Sequence, residues 1–362
     1  MKKIITKILV LFLTVSSMMI FSSCKKVSYD NYNIHAEGIK NIIILIGDGM
    51  GKNHIENTKT YFELGEQSFE KYYITDVNTN SLTVESPTDS AAGATALATG
   101  VSVTNGRVGY DGKNNLKNIM EYASDKNMKT GIVTNDYLFG ATPAGYSSHA
   151  SDRTDVGTIL ATQSTSPLDL LIGQYHEIYY EYEELFTSND FVMCDEEEEL
   201  YSIDFSKKVI ANLDNIYSIY NPEMINPINM VDLAEYAIDY LDNDNGFVLM
   251  IECAYIDKFS HANEIIPALS EVRTLFDIAD YVLEYIKDNE DTALIITADH
   301  ETGGLIKAES KENVTDSLYT SDDHSAANVS LYSIGIGLDT SKVVRNTFIF
   351  IVCYKTVSEE DN

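Results

Sequence analysis

Seven histidines occur in the chain, and three of them stand near carboxylates. Asp257 and His261 lie four residues apart in Glu252-Cys253-Ala254-Tyr255-Ile256-Asp257-Lys258-Phe259-Ser260-His261. On a helix that spacing puts both on one face. A carboxylate and an imidazole on one face form half of a zinc site. Asp299 and His300 are adjacent in Thr297-Ala298-Asp299-His300-Glu301-Thr302-Gly303-Gly304. On a helix they would diverge, but in a loop after a strand both can reach one ion. His324 stands in the polar loop Asp322-Asp323-His324-Ser325-Ala326. The other histidines, His35, His54, His149 and His176, have no comparable setting. A lone histidine is more often a surface or core residue than a ligand, but three with partnered carboxylates shift that balance toward metal binding.

Two further segments add an acid and a nucleophile. Gly47-Asp48-Gly49-Met50-Gly51 is glycine-rich. It lacks the spacing and the Lys-Ser/Thr pair of a Walker loop, since Lys52 precedes Asn53. It also misplaces the third glycine of a dinucleotide loop, and Asp48 would repel a pyrophosphate. An aspartate between glycines at a strand end is better placed to ligate a cation. Thr88-Asp89-Ser90-Ala91-Ala92-Gly93 sets a serine before small, helix-compatible residues. Its hydroxyl then sits at a helix N-terminus, where free N–H groups favour an anion. No Gly-x-Ser-x-Gly elbow surrounds it, which argues against an α/β-hydrolase triad. Taken alone, Asp89 or Ser90 also suits a plain helix cap.

These segments need strands to end where they begin. Residues 41–46 form an apolar, β-branched run that breaks at Gly47. Similar runs at 129–134, 247–252 and 293–297 read as buried parallel strands. Helical patterns at 115–124 and 231–241 lie between them. Alternating strands and helices predict an α/β fold with a doubly wound, mostly parallel sheet and helices on both faces. Ligands bind such sheets beyond the carboxyl ends of the strands, which is where the polar segments fall. Residues 154–245 are rich in Tyr, Glu and Asp, and read as a variable acidic insertion without catalytic residues.

In order and spacing the five segments resemble the alkaline phosphatases, over about 39–153 and 246–348. The resemblance implies a compact form of that family's fold and metal-dependent hydrolysis of phosphate monoesters through a phosphoserine at Ser90. It implies two zinc ions, one held by Asp257, His261 and His324, the other by Asp48, Asp299 and His300 with Ser90. A third cation, usually magnesium, would take Asp48, Thr142 and Glu252. Arg153 ends a stretch matching the family's phosphate-binding arginine, and Lys258 stands where many bacterial members carry a lysine that can reach phosphate through water. One departure is Gly140. The family often carries Asp or His two residues before Thr142, and losing such a group typically weakens metal affinity about 10–100-fold. A loosely held third cation is therefore expected. Homodimers are common in the family. A diesterase or sulfatase on the same fold is a second reading, but Asp-Ser-Ala-Ala differs from the sulfatase Cys/Ser-x-Pro/Ala-x-Arg pattern. A catalytically silent metal- or phosphate-binding lipoprotein is a third, although every proposed ligand is present.

The 362 residues include 25 basic and 56 acidic ones, a net charge of −31. Such a surface disfavours nucleic acid and repels anionic substrates at long range, so a phosphatase would need local positive charge from bound metals. The acidity also serves solubility. Lys2 and Lys3 followed by an apolar stretch at 8–21 resemble a signal peptide. Phe21-Ser22-Ser23-Cys24 resembles a bacterial lipoprotein cleavage site, with Cys24 as the lipidated residue and a membrane anchor. The expected organisation is a signal peptide at 1–23, a tether at 24–38 and a catalytic domain at 39–362, carrying the insertion at about 154–245. The expected location is outside the cytoplasm. Cys194, Cys253 and Cys353 have no paired spacing and read as buried or inert thiols.

Overall fold

A computed structural model describes residues 32–83, 86–340 and 342–358. The expected signal peptide and Cys24 lie outside the described residues.

The strands are β1 (Asn33–His35), β2 (Asn41–Gly47), β3 (Tyr73–Asn78), β4 (Lys129–Tyr137), β5 (Leu170–Gln174), β6 (Phe191–Cys194) and β7 (Lys208–Leu213). They continue with β8 (Phe247–Cys253), β9 (Thr292–Thr297), β10 (Glu301–Thr302), β11 (His324–Ser325), β12 (Val329–Ile334), β13 (Gly337–Asp339) and β14 (Val344–Arg345). Ten of them form one sheet, in the order β14-β3-β12-β9-β2-β8-β4-β5-β7-β6. Only the pairings of β12, with β3 and with β9, are antiparallel; the others are parallel. Every residue of β2, β8 and β9 is buried. Burial at consecutive positions means that both faces are covered, which the continuous apolar runs require.

Helices cover the sheet in two groups. Ser90–Thr99 packs with Ala141–Ser147 and Thr347–Ser358, while Lys52–Tyr61 and Met230–Leu241 pack with the long helix Ile265–Asp288. The Ser90 helix is buried along its whole length. Its Ala, Gly and Thr side chains are short enough to admit two neighbouring helices. It stops at Gly100, whose left-handed backbone (φ 71°) closes the helix. The helix expected at 115–124 is shorter and runs Ile119–Ser124. Asn118 Oδ1 accepts a hydrogen bond from Glu121 N, and Glu121 Oε2 accepts one from Asn118 N, so this box sets the start.

Two boundaries differ from expectation. Residues 33–35, expected in the tether, form β1 and pair antiparallel with β13. The acidic stretch 154–245 supplies β5, β6 and β7, which complete one flank of the main sheet. Only its surface is acidic: Leu170, Leu171, Ile172, Val209 and Ile210 are buried. Cys194, Cys253 and Cys353 are buried free thiols. Among the described residues no helix is long and apolar enough to cross a membrane.

Candidate active site

Strand register brings the chemistry together. Ile46 lies level with Glu252 on one side and with Thr297 on the other, and Glu252 lies level with Thr134. The carboxyl ends of four adjacent strands therefore open onto one place. Backbone bonds join the loops that follow. Asp48 N donates to Cys253 O at 3.2 Å, and Thr302 N donates to Gly49 O at 3.0 Å. Gly49 N donates to Asp299 Oδ1 at 3.2 Å. Gly49 has φ 72°, and a Cβ there would lie 2.8 Å from Thr302 Oγ1 and 2.9 Å from Asp257 Oδ1. Glycine is required by both backbone and space.

Asp89, not Ser90, caps the Ser90 helix: its Oδ1 accepts from Ala92 N at 2.9 Å. Ser90, the first helical residue, is then free to face the strand ends. Its Oγ lies 3.2 Å from His300 Nε2. The same nitrogen is 3.4 Å from Asp48 Oδ1 and 3.3 Å from Asp299 Oδ2. Thr302 Oγ1 meets the other ring nitrogen, Nδ1, at 3.2 Å, which turns Nε2 toward the serine.

A second group stands beside the first. Helix Tyr255–His261 presents Asp257 and His261, and His324 arrives on β11 rather than in a loop. His261 Nδ1 meets Asp322 O at 2.6 Å, and His324 Nδ1 meets Thr88 O at 2.8 Å. Both rings thus present Nε2 inward, with 3.0 Å between the two atoms. Asp257 Oδ2 is 3.4 Å from His261 and its Oδ1 is 3.5 Å from His324. Asp257, His261 and His324 have the closeness needed to hold one ion, as do Asp48, Asp257 and His300. Asp257 therefore borders both groups, while Asp299 meets only the His300 side.

The titration of these residues reflects burial and the charges packed around them. Burial, then the charges of Asp299, Asp257 and Glu252, push Asp48 well above the usual carboxylate range. Burial and the charge of Asp136 raise Glu252 to about 8. Burial would raise Asp257 too, but the hydrogen bond from His324 and the charges of His300 and His261 hold it well below that range. Burial lowers His300. For His324 burial is outweighed by its bond to Asp257, which raises it to about 9. Asp48 Oδ1, Asp299 Oδ2, Glu252 Oε1 and Thr142 Oγ1 are buried without a hydrogen-bond partner. Uncompensated acids with free, inward-facing oxygens and oriented imidazoles fit divalent cations.

Around these groups lies a cavity of about 430 Å³, walled by Asp48, Ser90, Arg153, Asp257, Lys258, His261 and His324 among others. Arg153 Nη1 donates to Asp89 Oδ2 at 3.4 Å, which holds the guanidinium beside Ser90. Lys258 also reaches the wall, but its ammonium is paired with Asp136. Thr142 and Glu252 are both buried, Glu252 near the end of β8 and Thr142 in the helix that Gly140 caps.

A family model for alkaline phosphatase matches residues 39–169 and 209–347. The chain belongs to the alkaline phosphatase family. The unmatched part, 170–208, is narrower than the expected insertion. Alkaline phosphatase 4 of Bacillus subtilis is 30% identical over 295 residues, which is 74% of this chain and 62% of that protein. The Escherichia coli alkaline phosphatase is 26% identical, over 74% of this chain and 71% of its own. The chain thus covers 62% of the length of the Bacillus relative. The structure of alkaline phosphatase from the Antarctic bacterium TAB5 superposes with a TM-score of 0.76 at 26% identity, covering 90% of this chain and 99% of that one. The alkaline-phosphatase fold and its mixed, mostly parallel sheet match the architecture expected from the sequence.

Every proposed zinc ligand is in one of the two groups or bridges them. His54, His149, His176 and His35 lie elsewhere. His54, for example, ties Gly51 N to Ser260 Oγ, at 3.1 and 3.0 Å. Sequence reasoning missed Thr302, Thr134 and Asp136, and the role of Asp89 as the anchor of Arg153. Thr302 lies within a segment already singled out, two residues beyond His300. Asp136 carries no such signal.

Proposed function

We propose that the chain hydrolyses phosphate monoesters, with Ser90 as nucleophile. The observation that carries the proposal is Ser90 Oγ at a helix N-terminus, 3.2 Å from a histidine nitrogen that also faces Asp48 and Asp299. Asp257, His261 and His324 would hold one zinc ion, and Asp48, Asp299 and His300 the second. Asp48, Thr142 and Glu252 would hold a third cation. Magnesium is the choice there, because oxygen-only ligands suit it. Two variants of the TAB5 enzyme with an acidic residue in place of a histidine are described as holding magnesium in a site called M3. When bound, the cations supply positive charge to offset the phosphate and to favour the serine alkoxide.

The chain's own residues do the rest. Helical N–H groups at Ser90 favour the phosphoryl anion. Arg153, tethered to Asp89, offers a planar fork to two phosphoryl oxygens. Oγ bonds to phosphorus as the bond to the alcohol oxygen breaks; the alcohol leaves with a proton and Ser90 carries the phosphoryl group. Water then attacks that phosphorus, releasing inorganic phosphate and returning the hydroxyl proton. Two in-line displacements give retention at phosphorus. Export, and lipid attachment at Cys24, belong to the same proposal and rest on the pattern of residues 1–26.

Hydrolysis of p-nitrophenyl phosphate at mildly alkaline pH tests this, with zinc plus magnesium, with chelator, and beside bis-p-nitrophenyl phosphate. Chelator-sensitive monoester turnover with little diester turnover is expected. Ser90→Ala should keep its metal and lose turnover. No monoester turnover by a folded, zinc-loaded protein rejects the proposal.

A further inference from the structure

Gly140 caps the Ala141–Ser147 helix with φ −54° and ψ 159°, a backbone open to any residue. Its conformation does not call for glycine; its surroundings do. A Cβ at Gly140 would lie 2.3 Å from Asp136 Oδ2 and 2.8 Å from Asp136 Cγ. The carboxylate of Asp136 fills the space that a side chain at 140 would take.

The path of β4 explains how it gets there. β4 runs in register with β5 through Val133, opposite Ile172, and regains pairing at Tyr137, opposite Gln174. Four steps along β4 thus face two along β5. The surplus residues swell out of the ladder, and Asp136 is one of them. Two bonds tie the swelling to Glu252. Thr134 Oγ1 donates to Glu252 Oε2 and accepts from Asp136 N at 2.9 Å. One hydroxyl therefore links the Glu252 carboxylate to the backbone that aims Asp136. Tyr137 N donates to Asp136 Oδ1 at 2.7 Å, and Lys258 Nζ donates to the same oxygen. Both of those bonds go to Oδ1, and Oδ2 faces Gly140. Asp136 lines the same cavity as Asp48 and Ala141.

Beside it, Glu252 Oε1, Thr142 Oγ1 and Asp48 Oδ1 are buried without partners. We propose that Asp136, reaching in through the β4 swelling, supplies the carboxylate that Gly140 lacks and positions the water shell of a magnesium ion held by Asp48, Thr142 and Glu252. Magnesium keeps several of its waters when protein-bound, and those waters need an acceptor. The inference rests on the third-cation reading above. It replaces the loosely held ion expected from Gly140 with a firmly held one.

Magnesium titration of the zinc-loaded full chain, followed by calorimetry and by bound magnesium after dialysis, tests it without reference to turnover. Asp136→Asn should weaken magnesium about 10–100-fold while bound zinc stays unchanged. The double variant Asp136→Gly with Gly140→Asp returns a carboxylate to the same space from the other residue, and should recover affinity to within a few-fold. Lys258→Met removes the ion pair and keeps the carboxylate, so magnesium affinity within a few-fold of the unaltered chain separates the role of Asp136 from that pair. Unchanged magnesium affinity in Asp136→Asn overturns the role of Asp136 alone. If Asp136→Asn does not fold, the double variant decides: recovery supports the role, and loss of magnesium overturns it. If the unaltered chain binds no magnesium, the third-cation reading falls and this inference falls with it.

Discussion

Glu271→Gln probes how burial beneath the site makes stability depend on pH. Glu271 lies fully buried in the helix Ile265–Asp288. Its Oε1 accepts from Ser218 N at 2.9 Å, and its Oε2 from Asn135 Nδ2 at 2.9 Å. Asn135 Oδ1 in turn accepts from Ala254 N at 2.7 Å, next to the helix that carries Asp257. Burial, only partly offset by these donors, raises the Glu271 carboxyl to about 7. A raised carboxyl holds its proton more tightly in the folded chain than in the unfolded one. Its stabilising contribution is complete below the ordinary value of 4.5 and is lost as pH rises through about 7. The interval corresponds to about 3 kcal/mol at most. Glutamine cannot ionise, so it removes that slope. It has one acceptor oxygen for two N–H donors, so one donor meets an NH₂ group, a pH-independent loss of about 1–3 kcal/mol. The variant should therefore be less stable in mild acid, and its deficit should shrink by about 3 kcal/mol between about pH 5 and about pH 8. Urea unfolding of both chelated proteins measures it; chelation keeps proton-linked metal release out of the difference. A deficit that stays constant across this range refutes the argument.

Three other outcomes follow from the geometry. Thr302→Val removes the hydroxyl that bonds Asp257 Oδ1 and meets His300 Nδ1; zinc affinity by chelator competition should fall about 10–100-fold with the fold retained. Gly49→Ala forces a Cβ against Asp257 and Thr302 at positive φ; thermal unfolding should show a loss of about 1–3 kcal/mol, together with weaker zinc. Arg153→Ala deletes the guanidinium beside Ser90 and should lower kcat/KM for p-nitrophenyl phosphate by about 10–100-fold, the worth of a charged hydrogen bond, with zinc content unchanged.

Much of the centre was legible because its determinants are local. Unbroken apolar runs specify strands buried on both faces, and the ligands follow those runs directly, as Asp48 follows β2 and Asp299 follows β9. The four-residue spacing of Asp257 and His261 needs only one helical turn. What escaped depends on register between distant segments. Asp136 enters the site because β4 carries surplus residues against β5, and no pattern within 129–137 displays that. The sheet flank escaped for another reason. β5 to β7 are short strands set among Tyr and Glu, so a composition dominated by surface residues concealed their buried Leu, Ile and Val side chains.

The two aspartate–histidine groups differ in access. Asp299 and His300 are sealed at the sheet end, whereas the His261 side chain is 38% exposed at the cavity mouth. An ion held by the outer group would therefore meet the surrounding solution directly beside His261. One held by the inner group would face solution only across the cavity, past Asp48 and Ser90, with Asp299 and His300 closed off behind it. Loss of ions to a chelator would then run outer before inner.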